Sequence, residues 1–282
     1  MESIKRIAVL YGGSSSEREI SLSSGQGVYA ALCEIGYQCQ LIDYKNLKDL
    51  NELKNYDFVF IALHGFEGEG GELQKDLDDL NILYSGSKSE ACRKTWNKGL
   101  TKKILKANNI DTPSFIELEK FDPEIVRNKI NDASFDLFQP NDNLFLKPNE
   151  DGSSVDIFII HNEDSIKKAY EKCSNPHRSF LIEEYIDGRE ITVTVIGKDC
   201  FPPIEIITNN EFYDYDAKYI SNETLHIEAN LSLSELNDIK LISKKVFDVL
   251  DCKGWARIDF LQDKQGNFYV IEVNTVPGMT EH

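Results

Sequence analysis

Trp255-Ala256-Arg257-Ile258-Asp259-Phe260-Leu261 and Phe268-Tyr269-Val270-Ile271-Glu272-Val273-Asn274-Thr275 are two apolar strands flanking Asp263-Lys264-Gln265-Gly266-Asn267, a good hairpin loop. Folding the hairpin symmetrically about the point between Gln265 and Gly266 sets Asp259 opposite Glu272 and Arg257 opposite Asn274. Strand side chains alternate, so Arg257 and Asp259 share one face, as do Glu272 and Asn274. Three oxygen donors and one guanidinium then converge inside an apolar hairpin. Two carboxylates facing each other across a ladder destabilise it, which calls for a cation between them. Hard oxygens without His or Cys suit Mg²⁺ better than zinc, and Mg²⁺ commonly arrives with nucleotide phosphates. Charges on a solvated sheet face would mean little, but these interrupt strands that are otherwise strongly apolar.

Three further segments point the same way. Lys147-Pro148-Asn149-Glu150-Asp151-Gly152-Ser153-Ser154-Val155 places a lysine at a strand end before a Gly-Ser-Ser turn, able to wrap phosphate oxygens with backbone N–H groups. It is also a common kind of hairpin turn, and the P-loop pattern GxxxxGK[ST] is absent. Gly12-Gly13-Ser14-Ser15-Ser16-Glu17-Arg18-Glu19 follows an apolar strand at residues 5–11, and His64 ends a second strand at residues 58–63. Strand, glycine turn, helix, strand is the signature of a parallel, doubly wound sheet, whose ligands bind outside the carboxyl ends of the strands.

Tyr84-Ser85-Gly86-Ser87 reads as a domain break. The basic run Arg93, Lys94, Lys98, Lys102, Lys103 and Lys106 reads most simply as a solvated helix face. Strands are expected at 144–148, 154–160, 180–186 and 190–198, with a helix at 164–173. Ser232 to Glu235 has the spacing of a capping box before a helix carrying Leu236, Ile239, Val246 and Leu250. The class is α/β at the start and α+β afterwards.

At 282 residues the chain exceeds what one core usually serves. A net charge of −17 disfavours a nucleic-acid backbone or an anionic membrane as partner. No apolar run approaches the ~20 residues a bilayer needs, and the opening residues leave no room for a signal peptide. Six scattered cysteines without a CxxC pair suggest a reduced, cytoplasmic protein.

Six blocks, in order and at family spacing, resemble the D-alanine–D-alanine ligases, enzymes of ATP-grasp architecture. They are Tyr11-Gly12-Gly13 through Ser16-Glu17-Arg18-Glu19-Ile20-Ser21; Ala62-Leu63-His64-Gly65; Lys147-Pro148 through Gly152-Ser153-Ser154-Val155; Phe212 through Lys218-Tyr219; Gly254-Trp255-Ala256-Arg257-Ile258-Asp259; and Glu272-Val273-Asn274 through Gly278-Met279-Thr280. The resemblance runs from Ile7 to the last residue. It implies an N-terminal α/β substrate domain over 1–90, a central subdomain over 91–183 and a C-terminal catalytic subdomain over 184–282, the last two sandwiching ATP. The implied reaction transfers the γ-phosphate to the carboxylate of one D-alanine, and the amine of a second then attacks the acylphosphate. The product, D-alanyl-D-alanine, serves peptidoglycan synthesis.

Carried over residue by residue, the resemblance implies that Lys98 and Lys147 hold phosphates. Glu183 and Glu190 would frame the adenosine, with Glu184 and Tyr185 beside the adenine. Asp259, Glu272 and Asn274 would bind two Mg²⁺, with Mn²⁺ as a substitute. Arg257 would stabilise the acylphosphate, and Glu17 would bind the first ammonium, linked through Ser153 and Tyr219 to the closing loop. His64, Lys218 and Gly278 would line the substrate pocket. The implied partners are ATP and D-alanine, with a homodimer as the assembly. This sequence departs from the family at Glu184, commonly lysine, and at Asn97, commonly aspartate. It ends at His282, where the family continues with a Ser-Leu pair gripping the second carboxylate. That departure keeps two alternatives in view, a D-alanine–D-lactate or other carboxylate–amine ligase and an inactive nucleotide-binding relative. A nicotinamide-dependent oxidoreductase, a third class, lacks its GxGxxG.

Overall fold

A computed structural model describes residues 4–132, 143–152, 155–208 and 224–280. Strand β1 (Arg6–Tyr11) is flanked in parallel by β2 (Gln38–Asp43) and β3 (Phe58–Ile61), giving the order β2-β1-β3. Its side chains alternate between two cores: Ala8 and Leu10 join Val59, Leu63 and Leu77, whereas Ile7 and Val9 join Val28 of helix α1 (Arg18–Glu34). Both faces are covered, which is what parallel strands of continuous apolar character require. Strand β2 is absent from the reading of the sequence; Cys39 and Leu41 alternate with polar residues, and the segment is too half-buried to stand out.

Short helices α2 (Phe66–Glu69) and α3 (Glu72–Asp79) follow, then α4 (Ser89–Trp96) and α5 (Lys98–Ala107). A four-stranded antiparallel sheet comes next, in the order β4-β7-β5-β6. It is built from β4 (Phe115–Leu118), β5 (Leu144–Pro148), β6 (Phe158–Ile160) and β7 (Phe180–Glu184), with helices α6 (Pro123–Asn131) and α7 (Glu163–Lys172) packed on its core. Strand β6 is shorter than the expected 154–160.

The chain then crosses to a second antiparallel sheet, ordered β11-β10-β8-β12-β13 with β9 paired to β8. Its strands are β8 (Gly188–Ile196), β9 (Asp199–Cys200), β10 (Ile204–Ile207), β11 (Leu225–Glu228), β12 (Trp255–Asp263) and β13 (Phe268–Asn274). Strands β7 and β8, consecutive in sequence, thus belong to different sheets. Helix α8 (Leu233–Val249) covers one face, burying Ile239, Val246 and Phe247 against Ile191, Val193, Ile258 and Phe260.

Tyr84-Ser85-Gly86-Ser87, the expected domain break, is tightly packed. Ser85 Oγ accepts the Ile61 N–H at 2.9 Å, Ser87 Oγ accepts the Lys253 N–H at 3.0 Å, and Phe60 stacks on Trp255 at 5.3 Å between centroids.

The capping box at the start of α8 forms as its spacing predicts. Ser232 Oγ accepts the Glu235 N–H at 3.3 Å, and Glu235 Oε2 accepts the Ser232 N–H at 2.8 Å. Ser232→Ala is therefore expected to cost about 1 kcal/mol, lowering the thermal midpoint by about 2–4 °C, while Ser232→Asn stays near the parent. Differential scanning calorimetry of the three proteins checks this.

Candidate functional site

The two antiparallel sheets enclose a cleft of about 700 Å³. Period-two alternation on β8 and β12 turns Ile191, Val193, Ala256 and Ile258 into the core, and Glu190, Thr192, Arg257 and Leu261 toward the cleft. The hairpin pairs Arg257 with Asn274 and Asp259 with Glu272, as the sequence reading sets them.

Nearer the turn the register differs by one, Phe260 facing Val270 and Gln262 facing Phe268. Gly266 takes φ 91°, so the connection is a three-residue loop centred on Gln265. An extra residue in β13, Ile271, restores the pairing at the site. Bulges re-aim side chains, and both Ile271 and Glu272 line the cleft.

Asp259 itself lies one layer down, 2% exposed. Its Oδ1 accepts from Thr192 Oγ1 at 2.6 Å and Arg257 Nε at 2.9 Å; its Oδ2 accepts from Arg257 Nη2 at 2.8 Å and Asn274 Nδ2 at 3.0 Å. Arg257 is thereby the cation that lets the two carboxylates share the ladder. Among the described residues, no three His, Cys, Asp or Glu side chains cluster as a preformed metal site. The donor chemistry nevertheless fits a hard divalent cation: two carboxylates and one amide on a single sheet face.

Across the cleft, Lys147 Nζ lies 2.8 Å from Glu183 Oε2, and Lys98 Nζ donates to the Asp151 carbonyl at 2.5 Å. Desolvation lowers Lys98 below the usual lysine value, with Glu272 opposing. Burial alone would raise Glu183, but Lys102 and Lys147 outweigh it and hold the carboxylate below its ordinary range. Tyr185 stacks on Phe145 with centroids 5.4 Å apart, and Glu184 accepts the Ser114 N–H at 3.2 Å. Glu184, Tyr185 and Glu190 all line the cleft.

The N-terminal sheet supplies the third wall. Glu17 is 7% exposed, and a Cβ on Gly152 would sit 2.8 Å from its Oε2, so the turn after Lys147 comes close to the Glu17 carboxylate. Glu69, at the end of α2, accepts the Gly65 N–H at 3.0 Å. Burial, reinforced by Glu17, pushes Glu69 up to about 8. His64 is 4% exposed; its Nδ1 lies 3.1 Å from the Val276 carbonyl and its Nε2 2.9 Å from Ser24 Oγ. A carbonyl only accepts, so Nδ1 carries the proton and Nε2 accepts from the serine. Ser24 Oγ in turn accepts the Met279 N–H at 3.1 Å. Burial lowers His64 to about 4, and Arg257 adds to it.

The family model for the D-ala D-ala ligase C-terminus matches residues 104–282. A D-alanine–D-alanine ligase of Saccharophagus degradans is 38% identical over 281 residues, covering 98% of this chain and 86% of the relative. A D-alanine–D-alanine ligase B of Clostridium perfringens is 36% identical, covering 98% and 89%. The crystal structure of the Bacillus anthracis ligase complexed with ATP superposes with a TM-score of 0.80 at 31% identity, covering 99% of this chain and 88% of that one. This chain belongs to the D-alanine–D-alanine ligase family.

The family's ATP-grasp fold is the one described above. Of the residues expected to act together in the ligase, Glu17, His64, Lys98, Lys147, Glu183, Glu184, Tyr185, Glu190, Arg257, Glu272, Asn274 and Gly278 all line one cleft, with Asp259 directly beneath Arg257. Ser153, Lys218 and Tyr219 lie outside the described residues. Sequence reasoning missed Glu69, Lys102, Ser24 and Thr192. The Glu-Gly-Glu run at 67–69 beside His64 and the i, i+4 spacing of Lys98 and Lys102 were the signals available for two of them.

Glu272→Gln keeps the shape of the hairpin but removes a carboxylate from the cleft wall. It is expected to leave the melting midpoint nearly unchanged while abolishing Mg²⁺-supported turnover; normal activity at ordinary Mg²⁺ would overturn the metal assignment. A second expectation concerns pH. His64 is harder to protonate in the folded protein than in the unfolded chain, whose ordinary value is 6.5, so stability rises with pH from about 4 to 6.5. That shift is worth on the order of 3 kcal/mol. Glu69 holds its proton longer when folded, so its contribution falls from pH 4.5 to about 8. The slopes oppose each other where they overlap. Between pH 4.5 and 6.5 they cancel, so His64→Gln should uncover a decline there, whereas Glu69→Gln should uncover a rise there and remove the decline between pH 6.5 and 8. Melting midpoints at pH 4.5, 6.5 and 8 check both, and curves parallel to the parent would refute them.

Proposed function

We propose that this chain is an ATP-dependent, ADP-forming ligase that joins two D-alanine molecules through a D-alanyl phosphate, supplying dipeptide for peptidoglycan precursors. The observation that carries this reading is the Arg257 guanidinium, held by two hydrogen bonds on buried Asp259 in a cleft whose facing wall presents Lys98 and Lys147. Lys98 and Lys147 take the nucleotide phosphates. Glu183 and Glu190 frame the adenosine, with the segment of Glu184 and Tyr185 against the adenine. Glu17 orients the first D-alanine by its ammonium, so that its carboxylate faces the γ-phosphate, and with Ser153 and Tyr219 links this site to the closing loop. His64, Lys218 and Gly278 shape the substrate pocket.

The carboxylate oxygen attacks phosphorus and ADP leaves; the amine of the second D-alanine then attacks the acyl carbon, phosphate leaves, and the amine loses a proton. Arg257 is aimed where negative charge accumulates in both steps, and its fixed orientation means that little reorganisation is needed as that charge develops. Glu272, Asn274 and Asp259 would hold Mg²⁺, which neutralises charge on the phosphate oxygens. Positioning and charge neutralisation supply most of what phosphoryl transfer demands.

Three units at 1–90, 91–183 and 184–282, a homodimer and a cytoplasmic location complete the reading. Six free cysteines support a reducing compartment, and among the described residues no helix is long and apolar enough to cross a membrane. The relatives' names favour D-alanine over D-lactate as the second substrate.

Incubation with ATP, Mg²⁺ and D-alanine should release phosphate and D-alanyl-D-alanine in equal amounts. Phosphate without dipeptide would restrict the activity to acylphosphate formation and hydrolysis. No D-alanine-dependent phosphate release would sink the proposal.

A further inference from the structure

Helix α5 presents Lys98 to the cleft and, one turn later, buries Lys102. The Lys102 side chain is 1% exposed. Its ammonium donates to Thr112 Oγ1 at 2.7 Å, and that hydroxyl donates onward to the Val270 carbonyl at 2.7 Å. It also lies 3.3 Å from Glu183 Oε1, while Lys147 Nζ lies 2.8 Å from Glu183 Oε2. One carboxylate therefore serves two ammonium groups, and the cluster keeps one positive charge in excess. Lys147 and Glu183 line the cleft, with Lys102 behind them. A carboxylate paired with Lys147 alone would cancel that lysine's charge; shared with Lys102, it does not.

We propose that Lys102 is a positioning residue of the nucleotide site: by sharing Glu183 it leaves the Lys147 charge to a nucleotide phosphate, and through Thr112 it ties this cluster to the strand that carries Glu272. The inference rests on the reading of the cleft as an ATP site. Val270 immediately precedes the bulged Ile271, so the bond from Thr112 anchors the stretch that turns Glu272 into the cleft. Two opposed walls, one sheet with Glu183 and Lys147 and the other with Glu272, are thereby referred to a single buried ammonium.

Burial lowers Lys102 to about 8. The groups facing it are Glu183 on β7, which raises it, Lys147 on β5 and Lys106 on its own helix, which lower it, and the Phe115 ring on β4, 5.7 Å from the ammonium. The excess charge is consequently present at pH 7 and largely lost by pH 9.

The test is calorimetric titration of the full chain and of Lys102→Met with Mg-ATP and with adenosine, at pH 7 and pH 9. Parent protein should bind ATP about tenfold more weakly at pH 9 than at pH 7, with adenosine unchanged. Lys102→Met should bind ATP about tenfold more weakly than the parent at pH 7, should show no further loss at pH 9, and should keep its adenosine affinity. If Lys102→Met does not fold, Lys102→Arg decides: a guanidinium stays charged at both pH values and should shrink the parent's pH split, and a split as large as the parent's overturns the inference. Equal losses of ATP and adenosine would mark a purely structural lysine and overturn it as well. Undiminished ATP binding by Lys102→Met would overturn this inference alone, whereas a parent protein that binds no ATP would remove the functional reading beneath it.

Discussion

A carboxylate that is 2% exposed inside an apolar hairpin must find partners, and Asp259 finds them on three strands. Arg257 comes from its own strand, Thr192 from β8 and Asn274 from β13. All four hydrogen bonds lie on the cleft face of the sheet, while the opposite face is continuous hydrocarbon. An unpaired charge there would cost several kcal/mol. The sheet therefore forms with Arg257 fixed, because its guanidinium is what satisfies Asp259. Orientation of the functional cation and integrity of the fold are the same set of hydrogen bonds.

Much of this is legible in the sequence because alternation along a strand is a strict rule. Arg257 and Asp259 two apart, and Glu272 and Asn274 two apart, could share faces in only one way once the strands were recognised. The pairing itself was reached through two offsets that cancel. The loop centres on Gln265, with Gly266 left-handed, which shifts the ladder by one; Ile271 is the extra residue that shifts it back. Nothing in the apolar run Tyr269-Val270-Ile271 distinguishes a bulged residue from a paired one, so the bulge is visible only in three dimensions. The capping box of α8, by contrast, is local chemistry and forms as its spacing predicts.

What escaped the sequence depends on long-range packing. The lysines of α5 look like one solvated stripe, yet Lys103 reaches an exposed pairing with Glu117 while Lys102 is sealed against Thr112 and Glu183. Helical spacing shows that Lys98 and Lys102 share a side, but not that the side is covered. Strand β2 was invisible because its residues are only half-buried, and the hydrogen bonds of Ser85 and Ser87 were not legible because small polar residues serve turns and tight junctions equally well.

The packing at Ser85 and Ser87 bears on how the cleft is built. The N-terminal sheet is docked by Phe60 on Trp255, by His64 on the Val276 carbonyl and by Ser24 on the Met279 N–H. Trp255 opens the strand that carries Arg257 and Asp259, and Val276 to Met279 continue directly from the strand that carries Glu272 and Asn274. Both ends of the functional hairpin are thus gripped by the N-terminal sheet, and the same loops deliver Glu17 and Glu69 to the third wall. Burial favours the neutral ring of His64 in this junction, one nitrogen donating to a carbonyl while the other accepts from a hydroxyl. A charged imidazole would instead donate to Ser24, leaving the serine hydroxyl proton to find another acceptor and burying a charge at a ring that is 4% exposed. The neutral His64 ring thus ties the wall that carries Glu17 to the segment that follows Asn274, on the far side of the cleft.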